Sequence, residues 1–155
     1  MTKFKALGLE QPLLDAITDM GFEKPSEVQE KAIPILLEED TDLVALAQTG
    51  TGKTAAFGFP LIQKIDSDSR TTQGLILSPT RELCLQITNE LKLYSKYKKG
   101  LNVVAIYGGA SISEQANQIK RGAQIVVATP GRMKDMINRG MVNISKIDYC
   151  ILDEA

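Results

Sequence analysis

AQTGTGKT, residues 47–54, follows directly on a short apolar run, Leu43 to Leu46, and leads directly into a stretch with helical spacing. That context makes it a phosphate-binding loop between a strand and a helix. Gly50 and Gly52 allow the backbone to turn its N–H groups toward a polyphosphate, with Gln48, Thr49 and Thr51 in the same loop. Lys53 supplies a point charge, and the Thr54 hydroxyl is of the type that holds Mg²⁺. The dipole of the following helix adds partial positive charge at the same place. The usual pattern opens on Gly and this one on Ala47, a less demanding position than Gly52, Lys53 and Thr54.

Working outward, apolar runs bounded by turn residues recur at Leu43 to Leu46, Leu75 to Leu77, Val103 to Tyr107, Ile125 to Ala128 and Tyr149 to Leu152. They are short, continuous and rich in Val and Ile, as strands buried on both faces should be. Stretches with helical spacing lie between them, at 53–66, 80–97, 111–121 and 131–139. Strand alternating with helix implies crossover connections, hence an α/β fold: a parallel sheet with helices on both faces. Ligands of such a sheet gather at the carboxyl ends of its strands. Two further helices are expected upstream, at 10–20 and 26–38, with Gly21 ending the first, Ser26 capping the second and Pro34 kinking it. Residues 1–40 then form a helical lead-in and 41–155 the nucleotide-binding core of one domain. The polar segment 66–73, DSDSRTTQ, is expected to be a mobile surface loop.

Composition narrows the function. The 155 residues are 43% apolar and 24% charged, the balance of an ordinary globular domain. No apolar run approaches the roughly 18 residues that span a bilayer, and the amino-terminal residues lack a signal-peptide core, so a cytoplasmic protein with no membrane partner is expected. The chain has no histidine, which excludes Ser-His-Asp and Cys-His catalysis and His-ligated zinc within it. Cys84 and Cys150 are isolated from each other and read as reduced, buried thiols. Net charge is −1, so any nucleic-acid binding must be local.

Other segments carry candidate chemistry. DYCILDEA, residues 148–155, sets Asp153 and Glu154 directly after a buried strand. Beyond a phosphate loop, the first carboxylate can hold Mg²⁺ opposite Thr54 and the second can orient an attacking water. An ordinary Glu pKa of about 4.3 makes Glu154 a poor base at neutral pH. Ser26 and Gln29 have the spacing of a capping box. Ser78-Pro79-Thr80-Arg81-Glu82 and Thr129-Pro130-Gly131-Arg132 both read as helix beginnings, with amides and an arginine of the kind that meet phosphate. Gly108-Gly109 ends a strand and permits close approach of another backbone. Lys96, Lys98 and Lys99 read as a solvated helix end.

GFEKPSEVQ, AQTGTGKT, PTREL, Gly108-Gly109, TPGR and the final DEA occur in the order and approximate spacing of DEAD-box RNA helicases, over essentially the whole chain. The chain resembles the amino-terminal RecA-like domain of a bacterial-type member, a P-loop NTPase fold. It stops at Ala155, before the last Asp of the family's name motif, and lacks the Ser-Ala-Thr motif and the second RecA-like domain.

The resemblance implies ATP and Mg²⁺ as cofactors. It turns Gln29 toward the N6 and N7 edge of adenine, with Phe22 as a stacking surface and Phe4 as an upstream aromatic supporting that pocket. It also gathers Pro79, Thr80, Arg81, Gly108, Gly109, Thr129, Pro130, Gly131 and Arg132 on one face that holds single-stranded or duplex RNA by sugar and phosphate, independently of sequence. The implied activity is RNA-stimulated ATP hydrolysis coupled to local duplex unwinding, with the 155 residues alone largely inactive. Two alternatives stay open on the residues alone: a nucleotide-dependent RNA- or protein-binding module without turnover, and a DNA-directed translocase core.

Overall fold

The computed structural model describes residues 2–38 and 52–153. The expected strand at 43–46 and the candidate residues Gln48, Thr49, Gly50, Thr51 and Glu154 lie outside them. The chain divides into two compact units, residues 1–64 with 93–99 and residues 65–92 with 100–155. The lead-in helices thus fall in one unit with the helix that follows the phosphate loop.

The first unit holds helices α1 (Thr2–Ala6), α2 (Gln11–Asp19), α3 (Glu27–Glu38) and α4 (Lys53–Lys64). α1, absent from the sequence reading, is anchored by Phe4, which is fully buried and meets Phe59 of α4 edge-on at 6.4 Å. Leu13, Leu14 and Ile17 form the buried stripe of α2. α3 runs through Pro34 without ending, so the proline removes one backbone bond but does not divide the helix. Of the lysines expected to be solvated, Lys96 and Lys99 are exposed and Lys98 is half-buried. Lys96 pairs with Asp19 at 3.0 Å, and Lys98 Nζ donates to the carbonyls of Ile62 and Gln63 at 2.6 and 3.2 Å, capping the end of α4. The end of one helix has been folded onto the unsatisfied carbonyls of another.

The second unit holds β1 (Gly74–Leu77), α5 (Arg81–Tyr94, whose last two residues belong to the first unit), β2 (Val103–Ile106), α6 (Ile112–Lys120), β3 (Ile125–Ala128), α7 (Pro130–Asn138) and β4 (Tyr149–Leu152). All described pairings are parallel, in the order β2-β3-β1-β4. The step from β1 to β2 runs along the sheet against the steps from β2 to β3 and from β3 to β4. Right-handed crossovers therefore put α5 on one face and α6 with α7 on the other. Ala116 of α6 and Met133 and Met136 of α7 pack with Leu75, Val104, Ile106, Val126 and Ala128 in one buried cluster. On the opposite face Ile76 and Val127 are fully enclosed. Cys84 of α5 donates its S–H to the Val127 carbonyl at 3.0 Å.

The expectations for β4 and for Cys150 fail here. β4 is not buried on both faces: it is an edge among the described strands, its residues alternate between half-buried and exposed, and Leu152 is 63% exposed. Cys150 is consequently exposed, whereas Cys84 is buried and its thiol is pushed up to about 11 by desolvation. Segment 66–73 is a surface loop as expected, exposed at Asp66, Asp68, Arg70 and Thr71, and two glutamines tie it to the fold. Buried Gln73 accepts from Asp66 N–H and donates to the Asp66 carbonyl, both at 2.9 Å. Buried Gln124 donates to the carbonyls of Ser69 and Gly100 at 2.9 and 2.8 Å and accepts from Asn102 N–H at 2.8 Å. No helix of the described residues is long and apolar enough to cross a membrane.

Candidate functional site

In the first unit the site is built on the junction of α3 with the start of α4. Gln29, 5% exposed, closes the expected capping box: its Oε1 accepts from Ser26 N–H at 3.1 Å, and Ser26 Oγ accepts from Gln29 N–H at 3.4 Å. The same amide does a second job. Its Nε2 donates to the carbonyl of Gly52 at 3.2 Å, and that carbonyl also accepts the first helical bond of α4, from Ala56 N–H at 3.1 Å. Gly52 has φ +81°, and a Cβ there would lie 2.2 Å from Gln29 Nε2. Lys53 and Thr54 follow as the first residues of α4, both half-buried. Phe22 is 39% exposed and has ring surface to offer, whereas Phe4 is closed inside the core.

In the second unit the carboxyl ends of the strands carry the other candidates. Asp153 is buried just past β4, its N–H donating to the Leu77 carbonyl at 2.9 Å. At the end of β1, Ser78 Oγ is buried with no hydrogen-bond partner among the described residues. Thr80 Oγ1 caps α5 by accepting from Leu83 N–H at 3.2 Å, as its hydroxyl predicts. Thr129 occupies the N-cap of α7 without a side-chain cap bond, and Pro130 opens that helix. Pro79, Thr80, Arg81, Gly108, Gly109, Pro130 and Gly131 are exposed, and Thr129 and Arg132 half-exposed.

These second-unit segments are joined. The Arg81 guanidinium lies over the Tyr107 ring, 4.9 Å from its centroid. Arg132 Nη1 donates to the Ala110 carbonyl and to Gln115 Oε1, each at 3.1 Å. Gln115 in turn accepts from Tyr107 N–H and donates to the Tyr107 carbonyl, both at 3.2 Å. The sequence reading missed Tyr107 and Gln115. The available signal was a glutamine on the apolar stripe of α6, one turn after Ile112 and beside Ala116.

The DEAD/DEAH box helicase family matches residues 26–155. This chain belongs to that family. A relative, the ATP-dependent RNA helicase CshA of Listeria monocytogenes, is 49% identical over 155 residues, covering 100% of this chain and 29% of its own length. The chain therefore spans less than a third of that relative. A DEAD box protein from Methanococcus jannaschii superposes with a TM-score of 0.92 at 43% identity, over 97% of this chain and 40% of that one. Dbp5 of Saccharomyces cerevisiae, solved bound to RNA and ADP BeF3, superposes with a TM-score of 0.87 at 32% identity, over 99% of this chain and 38% of that one. The described sheet and its helices are thus those of a RecA-like DEAD-box domain. Gln29 meets Gly52 within one unit, and Arg81, the Gly108-Gly109 loop and Arg132 meet within the other. Lys53 and Thr54 belong to the first unit and Asp153 to the second.

Proposed function

We propose that this chain is the ATP- and RNA-binding first domain of a DEAD-box RNA helicase that couples ATP hydrolysis to local separation of RNA strands. The reading is carried by the contact of Gln29 with Gly52, which ties the glutamine of GFEKPSEVQ to the last glycine of the phosphate loop. In this reading Lys53 stabilises the β- and γ-phosphates, Glu154 places a water in line, and Gln29 and Phe22 meet adenine. The Thr54 hydroxyl and the Asp153 carboxylate are hard oxygen donors that suit Mg²⁺, which when bound would neutralise charge on the phosphates. Two glycines support the RNA half. A Cβ at Gly108 or Gly131 would meet nothing within 4 Å among the described residues, and neither has a positive φ, whereas the equally open Gly109 has φ +84°. Close approach by an outside backbone accounts for Gly108 and Gly131. A cytoplasmic setting is part of the same proposal.

Phosphoryl transfer also needs arginine at the developing charge, worth about 10³ to 10⁵ in rate in related hydrolases. The proposal assigns that arginine to the second RecA-like domain, outside this chain. The test is ATP turnover with and without single-stranded RNA, in the protein as its gene encodes it and in the 155 residues alone. Turnover stimulated by RNA in the former, negligible in the latter and abolished by Lys53→Ala with the fold retained, is expected. Robust RNA-stimulated turnover by the 155 residues alone would refute the division of labour.

A further inference from the structure

We propose that Gln115 is a positioning residue of the RNA surface, holding the Gly108-Gly109 loop and Arg132 in one geometry. The inference deepens the RNA-binding reading above and rests on it. β2 ends at Ile106, and the next residue takes its pairing from a side chain rather than a strand. The Gln115 amide accepts from Tyr107 N–H and donates to the Tyr107 carbonyl, both at 3.2 Å, gripping the backbone on either side of one Cα. Its Oε1 also accepts from Arg132 Nη1 at 3.1 Å, and the same Nη1 donates to the Ala110 carbonyl at 3.1 Å.

The four-residue turn from Tyr107 to Ala110 is therefore held at both ends. Gln115 holds the first and Arg132 the last, with the two exposed glycines between them. Tyr107, fixed in this way, seats the Arg81 guanidinium on its ring at 4.9 Å. One buried amide thus links the GG, PTREL and TPGR segments. It also engages both hydrogens of Arg132 Nη1 together with Ala110, so that nitrogen serves as a strut for the loop. Only a side-chain amide can both accept and donate here: a carboxylate at neutral pH cannot donate to the Tyr107 carbonyl, and a thioether of similar length does neither adequately. The amide orientation follows from the same contacts, since reversing it would set an N–H against both Tyr107 N–H and Arg132.

The experiment measures RNA-stimulated ATP turnover of the protein as its gene encodes it, over a titration of a single-stranded uridine oligonucleotide. Gln115→Met is expected to raise the KM for RNA by about tenfold, while the KM for ATP and the kcat at saturating RNA stay within about twofold. The loss in the Gln115→Met, Arg132→Met double variant should be smaller than the product of the two single losses, because the two side chains act as one device, while Arg132 keeps its own contact with phosphate. An RNA KM unchanged in Gln115→Met, a parallel rise in the KM for ATP, or losses that multiply in the double variant would overturn the proposal. Should Gln115→Met fail to fold, Gln115→Glu, which keeps the acceptor for Arg132, serves instead. It is expected to raise the RNA KM by at least about threefold, and no rise overturns the proposal. Absence of any RNA stimulation in the unsubstituted protein would instead remove the RNA-binding reading itself.

Discussion

Single residues in this domain carry more than one duty, and Gly52 with Gln29 is the clearest case. Gly52 is required twice over. Its φ of +81° is one that side chains rarely adopt, and a Cβ would press on Gln29 Nε2 at 2.2 Å. The left-handed backbone alone costs an L-residue about 1–2 kcal/mol. Gly52→Ala is therefore expected to lower the urea midpoint. In a Gln29→Ala background the same substitution should cost measurably less, since only the backbone part remains. Equal costs in both backgrounds would show that Gln29 yields freely and that the contact is incidental. Ser26 and Gln29 have the spacing of a capping box, and the family resemblance implies an adenine contact for Gln29. The first is present in full, and it leaves the amide one further N–H and one lone pair with which the second can coexist.

Among the elements, the α4 helix is the one whose ends matter most, because its first turn carries Lys53 and Thr54. Its last turn is held by Lys98, whose ammonium lies on the carbonyls of Ile62 and Gln63. A cation there satisfies orphan acceptors and opposes the negative end of the helix dipole, an effect of about 0.3–1 kcal/mol at a partly exposed site. Lys98→Met should reduce stability by roughly that amount, seen as a lower urea midpoint, and raised salt should shrink the difference. A stability change of the opposite sign would mean that desolvating the ammonium outweighs its bonds. The cysteines differ for reasons that also belong to elements. α5 lies on a covered face of the sheet, and burial lifts the Cys84 thiol from 9.0 to about 11. Its contribution to stability is complete below the unfolded value of 9.0 and is lost as pH rises through about 11. Cys150 sits on the edge strand of the described sheet and is exposed.

At the scale of the whole molecule, a net charge of −1 provides no long-range pull on a polyanion. On the proposed reading, affinity for RNA would come from the joined surface around Arg81, the glycine loop and the first turn of α7. Each phosphate neutralised on a single strand contributes about −0.7 to the slope of log affinity against log salt. Two arginines then predict a slope no steeper than about −1.4 for this chain with a single-stranded oligonucleotide. A slope steeper than about −3, measured by fluorescence anisotropy across a salt series, would place the binding on lysines elsewhere.

Much of this was determined by the sequence itself. The strands at 75–77, 125–128 and 149–152, the alternation that makes the sheet parallel, and the ordered motifs that mark the family are all written in short stretches of chain. Such features depend on neighbours within a few residues, where periodicity and turn chemistry act. The tertiary structure alone decided which side chains meet across long separations. It closed Phe4 into the core, turned Lys98 onto a helix 36 residues away, set the Gln29 amide on a carbonyl 23 residues away, and left Cys150 at an edge. Gln115 shows the reason most plainly: a polar residue on an apolar stripe can be located in a sequence, but its partners are fixed only when packing brings Tyr107 and Arg132 to its amide.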